Sequence, residues 1–173
     1  FDLHDVTLVG NDTGGGVCQF LIDALPDRTG RLVLTNCDAF DKFPPFPFNA
    51  VFALMRSTVS TRILAAAMGP KALRHSPVGF GLLANDLDPA LTASWIRPAA
   101  SDSRIAGDFA ALARGIGRTD LTEVAPRLQR FTRPVRLVWG TADRCFTTKL
   151  GRRLAAQFPE ATFVEVPGAR TFV

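Results

Sequence analysis

The stretch "VTLVGNDTGGG", Val6 to Gly16, places an apolar run directly before a cluster of glycines, with Asp12 at the junction. A residue held where a strand turns at once into a helix adopts a strained backbone conformation and has room only for small neighbours. Gly10 and Gly14 stand two residues before and two residues after Asp12, and Gly15 lets the helix approach the strand. The pattern predicts a strand-to-helix turn that presents the Asp12 carboxylate.

This arrangement matches the nucleophile elbow G-x-S-x-G, with Asp in place of Ser. Such a turn directs the backbone N–H of Thr13 and the start of the helix at developing negative charge, as an oxyanion site does. Two other glycine motifs do not fit, because no Lys follows as in a phosphate-binding loop and the spacing differs from the dinucleotide fingerprint. A plainer alternative stays open, in which Asp12 only caps the helix in a glycine-rich turn.

Composition limits the classes of function. The 173 residues are 47% hydrophobic, which is typical of a globular domain, and the net charge of +4 is carried by scattered arginines rather than a basic, aromatic-rich patch. Three cysteines without CxxC spacing and two histidines favour neither disulfides nor a metal site. No apolar run approaches the ~18 residues of a membrane span. We expect a cytoplasmic protein with a small-molecule substrate and without metal, cofactor, nucleic-acid or membrane partner; its oligomeric state stays open.

Four apolar runs predict strands: Val6–Val9, Leu32–Thr35, Val135–Trp139 and Thr162–Val166. The first three are nearly continuous, which favours parallel strands buried on both faces. Helical spacing follows the first run, over Gly15–Leu25, and the third run, over Lys149–Phe158. Strand, helix and strand at each end of the chain predict an α/β fold built from right-handed βαβ units.

The middle of the chain, Asp41 to Arg133, shows no strand pattern. It predicts helices over Asn49–Met68, Pro89–Ile96, Ser103–Gly115 and Leu121–Phe131. Large apolar residues at helical spacing mark the expected core faces of three helices: Val17, Phe20, Leu21 and Leu25; Phe52, Met55, Val59 and Ile63; Ile105, Phe109 and Leu112. The predicted organisation is a core sheet over residues 1–40 and 134–173, interrupted by a helical insert over residues 41–133.

Taken together, these blocks resemble the α/β-hydrolase superfamily, and within it the branch with an aspartate nucleophile, which includes haloalkane dehalogenases, fluoroacetate dehalogenases and epoxide hydrolases. The resemblance covers nearly all of the chain and rests on "LVGNDTGG", "RLVLTNCDAF", "RPVRLVWGTADRCF" and "FVEVPGARTFV". It implies a parallel sheet with a helical cap over residues 41–133. It also makes Val6–Val9 the fifth strand of eight, with the N-terminal half of the fold and its oxyanion loop absent. We therefore expect either a fragment of a longer gene product or a truncated pseudo-enzyme.

The same resemblance implies roles for three carboxylates. Asp12 is the nucleophile, which attacks a carbon to form an ester that water then cleaves. Asp143, after the third strand, corresponds to the acid that orients a histidine, and Asp38, after the second strand, is the alternative acid. From the residues alone, Asp143 is better explained by an Asx turn that closes a strand.

The histidine itself is missing from the pattern. Thr171 stands at its place in "GARTFV", and a threonine hydroxyl does not accept a proton near neutral pH. His4 precedes the first strand, at the far edge of the sheet. His75 lies in the predicted cap, where it is either a substitute base or an ordinary surface residue.

The leaving-group machinery of two known activities is also missing. Thr13 stands where haloalkane dehalogenases carry Trp, and the chain has no Tyr, which epoxide hydrolases use in the cap. We expect a hydrolase of a small apolar ester, halide or epoxide. The alternatives are a non-catalytic α/β-hydrolase-like binding or scaffold protein, and a Rossmann-like binder that uses the glycine turn for an anion.

Overall fold

The computed structural model describes residues 2–116 and 120–173. Along that part of the chain the strands are β1 (Val6–Asp12), β2 (Thr29–Cys37), β3 (Val135–Gly140) and β4 (Ala161–Val166). The α-helices are α1 (Thr13–Ala24), α2 (Phe48–Leu54), α3 (Thr58–Ala67), α4 (Lys71–Arg74), α5 (Pro89–Ser101), α6 (Ser103–Ile116) and α7 (Thr148–Ala155). Two compact units result, one formed by Phe1–Pro45 with Asp120–Val173 and the other by Phe46–Thr119.

The first unit contains a parallel sheet in the order β1-β2-β3-β4. All four predicted strands are confirmed, each with a few additional residues, and so is the predicted α/β fold. The register places Leu34 beside Gly10 on one side and beside Leu137 on the other. Because all strands run the same way, the ends of β1, β2 and β3 meet at one edge of the sheet, which is where Asp12, Asp38 and Asp143 follow.

The prediction that the strands are buried on both faces is wrong. α1 packs with Cys18 against Gly10, and α7 packs with Gly151 against the Trp139 ring, so both helices cover the face that carries Leu34 and Leu137. Residues pointing the other way are exposed, as in Val9, of which 67% is accessible. The continuous apolar runs therefore reflect strand propensity on the open face and burial on the covered one.

The helix α1 also turns a different face to the sheet from the one predicted. Val17, Leu21 and Leu25 are exposed, and the buried positions are Gly15, Gly16, Cys18, Gln19 and Ile22. A side chain at Gly15 would collide with the Cys37 side chain, so the helix lies too close to β2 for large residues. Hydrophobic periodicity points to the large residues, whereas this close approach requires small ones.

The second unit consists of α2 to α6, and α3 packs against α5 and α6. The predicted helix Asn49–Met68 is two helices, because Ser57 forms a capping box that starts α3. α5 continues through Pro98, beyond the predicted end at Ile96. The predicted helix Leu121–Phe131 contains a 3-10 helix, Ala125–Arg130, which belongs to the first unit.

The core of this helical unit is built from small residues. Ala65, Ala106, Ala110 and Ala113 are buried. The larger residues predicted to form core faces are exposed: Val59, Ile63, Ile105, Phe109 and Leu112. That prediction was therefore wrong for these five residues, whereas Phe52 and Met55 are half-buried. Alanines allow the helices α3 and α6 to pack closely.

Candidate functional site

Asp12 is the last residue of β1, and α1 begins at the next residue. Its backbone has φ 53° and ψ −131°, a left-handed conformation that a residue with a side chain adopts only under strain. Such strain costs on the order of 1–3 kcal/mol and persists where the surrounding structure enforces it. The sequence prediction of a sharp turn at Asp12 therefore corresponds to an observed backbone strain at that residue.

Two glycines make this turn possible. A Cβ at Gly10 would lie 2.7 Å from the Gly15 Cα and 2.8 Å from the Cys18 Sγ, and a Cβ at Gly15 would collide with Cys37. A Cβ at Gly14 would meet nothing within 4 Å. The steric reason given by the sequence pattern thus applies to Gly10 and Gly15 but not to Gly14.

The Asp12 side chain does not cap the helix. No helix-capping hydrogen bond joins its carboxylate to an N–H further along α1, so the plainer alternative of a helix N-cap lacks its defining contact. Burial raises the pKa of Asp12, the N–H and hydroxyl of Thr13 oppose that rise, and the charge of Asp143 adds to it. The Thr13 hydroxyl donates to Asp12 Oδ1 at 3.4 Å. Asp12 is accordingly a half-buried carboxylate at the strained turn.

Asp38 follows β2 and is fully buried. Its backbone N–H donates to the Asp12 carbonyl at 3.2 Å, which places the two residues side by side at the edge of the sheet. Neither carboxyl oxygen has a hydrogen-bond partner among the described residues. Burial and the charge of Asp12 together raise the pKa of Asp38 to about 8, against a smaller opposing effect of the Thr13 hydroxyl. Asp38 is therefore a neutral carboxylic acid at pH 7.

Asp143 is the opposite case, since hydrogen bonds surround its carboxylate. Oδ1 accepts from the N–H groups of Cys145 at 2.7 Å and Phe146 at 3.0 Å. Oδ2 accepts from Asn36 Nδ2 at 2.8 Å and from the Thr171 hydroxyl at 2.8 Å. The two backbone contacts form the Asx turn that the residues alone suggested. The other two tie the loop after β3 to β2 and to the C-terminal segment.

Thr171, which stands where the resemblance places a histidine, is buried and lies beside Asp143. Its carbonyl oxygen accepts a hydrogen bond from Asn11 Nδ2 at 2.8 Å. The segment that carries it is thus fixed to the end of β1 as well as to the loop after β3. Residue 171 therefore lies beside Asp143 and the end of β1, as the resemblance implies for a histidine, but the threonine at this position has no titrating group.

Three amide side chains of this site were not among the predicted residues: Asn11, Asn36 and Gln19. Asn36 Oδ1 accepts from the Gly140 N–H at 2.6 Å, while its Nδ2 holds Asp143. Gln19 Nε2 donates to the Asp38 carbonyl at 2.8 Å, and its Oε1 has no partner among the described residues. The available signal was an amide adjacent to a site carboxylate, as in "GND" and "TNCD".

His75, the predicted substitute base, belongs to the helical unit. It follows α4, and its Nε2 lies 2.8 Å from the Thr92 hydroxyl. The neighbouring Arg74 is buried and donates to the same hydroxyl at 3.0 Å and to the Pro89 carbonyl at 3.1 Å. His75 is thus part of the polar network that joins α4 to α5. His4 is exposed and lies 3.4 Å from Asp2.

Two other kinds of feature, a metal site and a membrane-spanning helix, are absent from residues 2–116 and 120–173. No group of three or more His, Cys, Asp or Glu residues there is arranged to hold a metal ion. No helix in the same residues has the length and apolarity needed to cross a bilayer. The three cysteines are buried free thiols.

The chain is similar in structure to several solved α/β proteins. A meta-cleavage product hydrolase from Pseudomonas fluorescens IP01 matches with a TM-score of 0.68 at 16% identity, over 99% of this chain and 59% of that one. An enol-lactonase from Burkholderia xenovorans LB400 matches with a TM-score of 0.65 at 23% identity, over 95% and 58%. A bromoperoxidase from Bacillus anthracis matches with a TM-score of 0.62 at 17% identity, over 98% and 62%.

These likenesses concern the fold, and the chain spans about three fifths of the length of each of these structures. No curated protein matches the sequence. The family model for the alpha/beta hydrolase fold, however, matches residues 1–173, the whole of the chain. The parallel sheet, the strained turn after β1 and this match agree, and the protein belongs to the alpha/beta hydrolase fold family.

Proposed function

We propose that the protein is a hydrolase in which Asp12 is the nucleophile, presented at a nucleophile elbow. The observation that carries the proposal is the strained backbone of Asp12 between β1 and α1, because strain of this kind is retained where function requires it. Burial raises the pKa of Asp12, and the N–H of Thr13 opposes that rise and so favours the ionised form that attacks a substrate.

The proposed reaction is the cleavage of a small, largely apolar ester, halide or epoxide. Asp12 forms a covalent intermediate with the substrate carbon, and water regenerates the carboxylate. An apolar substrate is supported by Phe43, whose ring lies beside Gly16 and 5.9 Å from the ring of Phe20. In this proposal, residues 41–133 form a cap that covers the substrate. The proposed location of the protein is the cytoplasm.

The test is detection of the covalent intermediate. The full-length gene product is incubated with an aryl ester, a haloacid and an epoxide, and the peptide that contains Asp12 is examined by mass spectrometry. We expect an adduct on Asp12 with at least one probe and none in Asp12→Asn. The control Asp27→Asn makes the same change of charge at an exposed residue and should form the adduct normally.

A second function, a non-catalytic binding or scaffold protein, is favoured by one observation. The Thr171 hydroxyl donates a hydrogen bond to the Asp143 carboxylate, and neither side chain is available as the base that a hydrolase needs. Absence of any adduct and of any turnover with all three probes would decide for this second function.

A further inference from the structure

Two buried aspartates at the same edge of the sheet have opposite surroundings. The Asp143 carboxylate accepts four hydrogen bonds, two from backbone N–H groups and two from side chains. The Asp38 carboxyl group is equally buried and has no partner for either oxygen among the described residues. A buried carboxylate without donors is strongly destabilised, whereas a neutral carboxylic acid is tolerated. The Asp143 carboxyl group is therefore fully hydrogen-bonded, whereas Asp38 carries a proton.

That proton lies next to the proposed nucleophile. The Asp38 N–H donates a hydrogen bond to the Asp12 carbonyl. In the pairing of β1 with β2, Asp12 lies opposite Cys37, the residue before Asp38. The Thr13 hydroxyl acts on both carboxyl groups, since it donates to Asp12 and opposes the rise of the pKa of Asp38. A hydroxyl that lies near both groups provides a path for a proton that starts from the buried acid.

We propose that Asp38 is the proton carrier of this site and takes the place of the missing histidine, with the Thr13 hydroxyl relaying the proton. The inference rests on the proposed function of Asp12. Asp38 supplies the proton and takes it back through Thr13. It does not contact the substrate itself. No role as a partner of histidine is involved, because the site contains none.

In the first step, an Asp12 carboxylate oxygen forms a bond to the substrate carbon while the bond from that carbon to the leaving group breaks. The leaving group takes the proton of the Thr13 hydroxyl, and Thr13 takes the proton of Asp38. The products are a neutral ester on Asp12, the protonated leaving group and an Asp38 carboxylate.

In the second step, water attacks the carbonyl carbon of the Asp12 ester. A proton from that water passes through Thr13 to the Asp38 carboxylate. The tetrahedral intermediate then releases the alcohol, which takes the remaining proton, and the Asp12 carboxylate and the Asp38 acid are restored. The sum is substrate plus water giving alcohol plus protonated leaving group; in an epoxide the leaving oxygen stays attached, so the two hydroxyls belong to one diol.

The electrostatics of the pair suit this alternation. The negative charge of Asp12 is one of the two effects that raise the pKa of Asp38, and conversion of Asp12 to a neutral ester removes it. Asp38 is thus a protonated acid while Asp12 is ionised, and its carboxylate is more easily formed once Asp12 is esterified. The coupling assigns the acid role to the first step and the base role to the second.

The other groups that face Asp38 cannot substitute for it. From β2, the preceding residue Cys37 is a buried thiol whose pKa is raised well above its usual range by burial and by Asp38. From α1, Gln19 holds the Asp38 carbonyl and does not titrate. From the end of β1, Asp12 is the nucleophile itself, and Asp143 acts on Asp12 rather than on Asp38.

The test compares Asp38→Asn with the wild type on two probes that differ in the proton they need. Bromoacetate releases bromide, which needs no proton, whereas styrene oxide releases an alkoxide that does. With bromoacetate, the bromide leaves without the Asp38 proton, so the variant should form the Asp12 adduct at the wild-type rate. Esterification of Asp12 removes a charge that raises the pKa of Asp38, and Asp38 then releases its proton to solvent and becomes the base of the second step. The variant should therefore cleave the adduct ~100-fold or more slowly, since general acid–base catalysis contributes about 10²–10⁴-fold. With styrene oxide, adduct formation itself should slow by a similar factor.

The pH profile provides a readout that a structural role would not change. In the wild type, the rate of adduct formation from styrene oxide should decrease above about pH 8, where Asp38 loses its proton. In Asp38→Asn, this decrease (the alkaline limb of the pH profile) should be absent. Thr13→Val should slow the same steps, and Asp27→Asn should slow neither. Circular dichroism and thermal unfolding confirm that each variant is folded.

The possible failures are distinguishable. If Asp38→Asn cleaves the adduct at the wild-type rate and keeps the limb near pH 8, the proton carrier is another group and the inference is overturned while Asp12 remains the nucleophile. If no probe gives an adduct on Asp12 in the wild type, the proposed function fails, and the inference fails with it.

Discussion

The hydroxyl of Thr171 donates a hydrogen bond of 2.8 Å to the Asp143 carboxylate, and both residues are buried. A side chain without acid–base function thus stands where the resemblance implies a histidine, and it is bonded to the carboxylate that the resemblance implies as the partner of that histidine. The contact connects the C-terminal segment to the loop after β3. It makes Thr171 a structural element of the site.

We predict that Thr171→Val lowers the free energy of unfolding by about 1–3 kcal/mol, because it removes a buried hydrogen bond to a charged acceptor. Thr171→Ser keeps the hydroxyl and should retain most of that stability. Urea denaturation measures both, with the exposed Thr122→Val as the control. Equal stability of the Val and Ser variants would show that the bond contributes nothing.

Asn36→Ala should destabilise the protein more than Thr171→Val. The substitution leaves the buried N–H of Gly140 without its acceptor and removes one of the four donors to Asp143. Each unsatisfied buried group costs about 1–3 kcal/mol, so a loss of about 2–5 kcal/mol is expected. The exposed Asn49→Ala should be nearly neutral in the same chemical denaturation. A comparable effect of the two substitutions would contradict the structural role of Asn36.

The stability of the protein should fall as pH rises, because of Asp38. Its pKa is about 8 in the folded protein against an ordinary value of 3.8, so between these values the folded state holds a proton that the unfolded state has released. This contribution is fully present below about pH 4 and is lost up to about pH 8, with a slope of about 1.4 kcal/mol per pH unit. Asp38→Asn should flatten that slope in urea titrations from pH 4 to pH 8. An unchanged slope would place the raised pKa elsewhere.

The glycines after β1 should respond unequally to alanine. Gly15→Ala places a Cβ against Cys37 in the core and should cost about 2–3 kcal/mol or more, in the range of overpacked cores. Gly14→Ala meets nothing within 4 Å and should be neutral or stabilise α1 by about 0.5–1 kcal/mol. Thermal unfolding of the two variants measures the difference. A destabilising Gly14→Ala would mean that the sequence motif has a steric reason at this position after all.

Asp12→Gly should stabilise the fold while it removes the proposed nucleophile. Glycine adopts the observed φ of 53° without strain and leaves no half-buried carboxylate, and we expect a gain of about 1 kcal/mol after the entropy of the unfolded glycine is counted. Asp12→Asn keeps the strain and should gain less. Urea denaturation gives both values. A large loss of stability in Asp12→Gly would mean that the side chain supports the structure rather than a reaction.

Local signals in the sequence located the strands and the turn. The runs Val135–Trp139 and Thr162–Val166 lie within observed strands, and the acid between two glycine-containing segments lies at the strained turn. These features depend on neighbours in the sequence, which a pattern records directly. The helix faces were missed for a physical reason. The close approach of α1 and the alanine-rich packing of α6 select small buried residues, and hydrophobic periodicity gives these little weight.

The surroundings of the site residues could not be predicted in this way. Asp38 and Asp143 are similar in sequence, since each follows an apolar strand by a short interval. The Asp38 carboxyl group has no hydrogen-bond partner among the described residues, whereas the Asp143 carboxylate accepts four hydrogen bonds, because Asn36, Thr171 and the turn after Asp143 reach only one of the two. The sequence by itself determined the α/β architecture and the position of Asp12, through strand runs and a turn that short-range sterics impose. The tertiary structure decided which carboxyl group is hydrogen-bonded and which carries a proton, because that depends on donors up to 107 residues away in the chain.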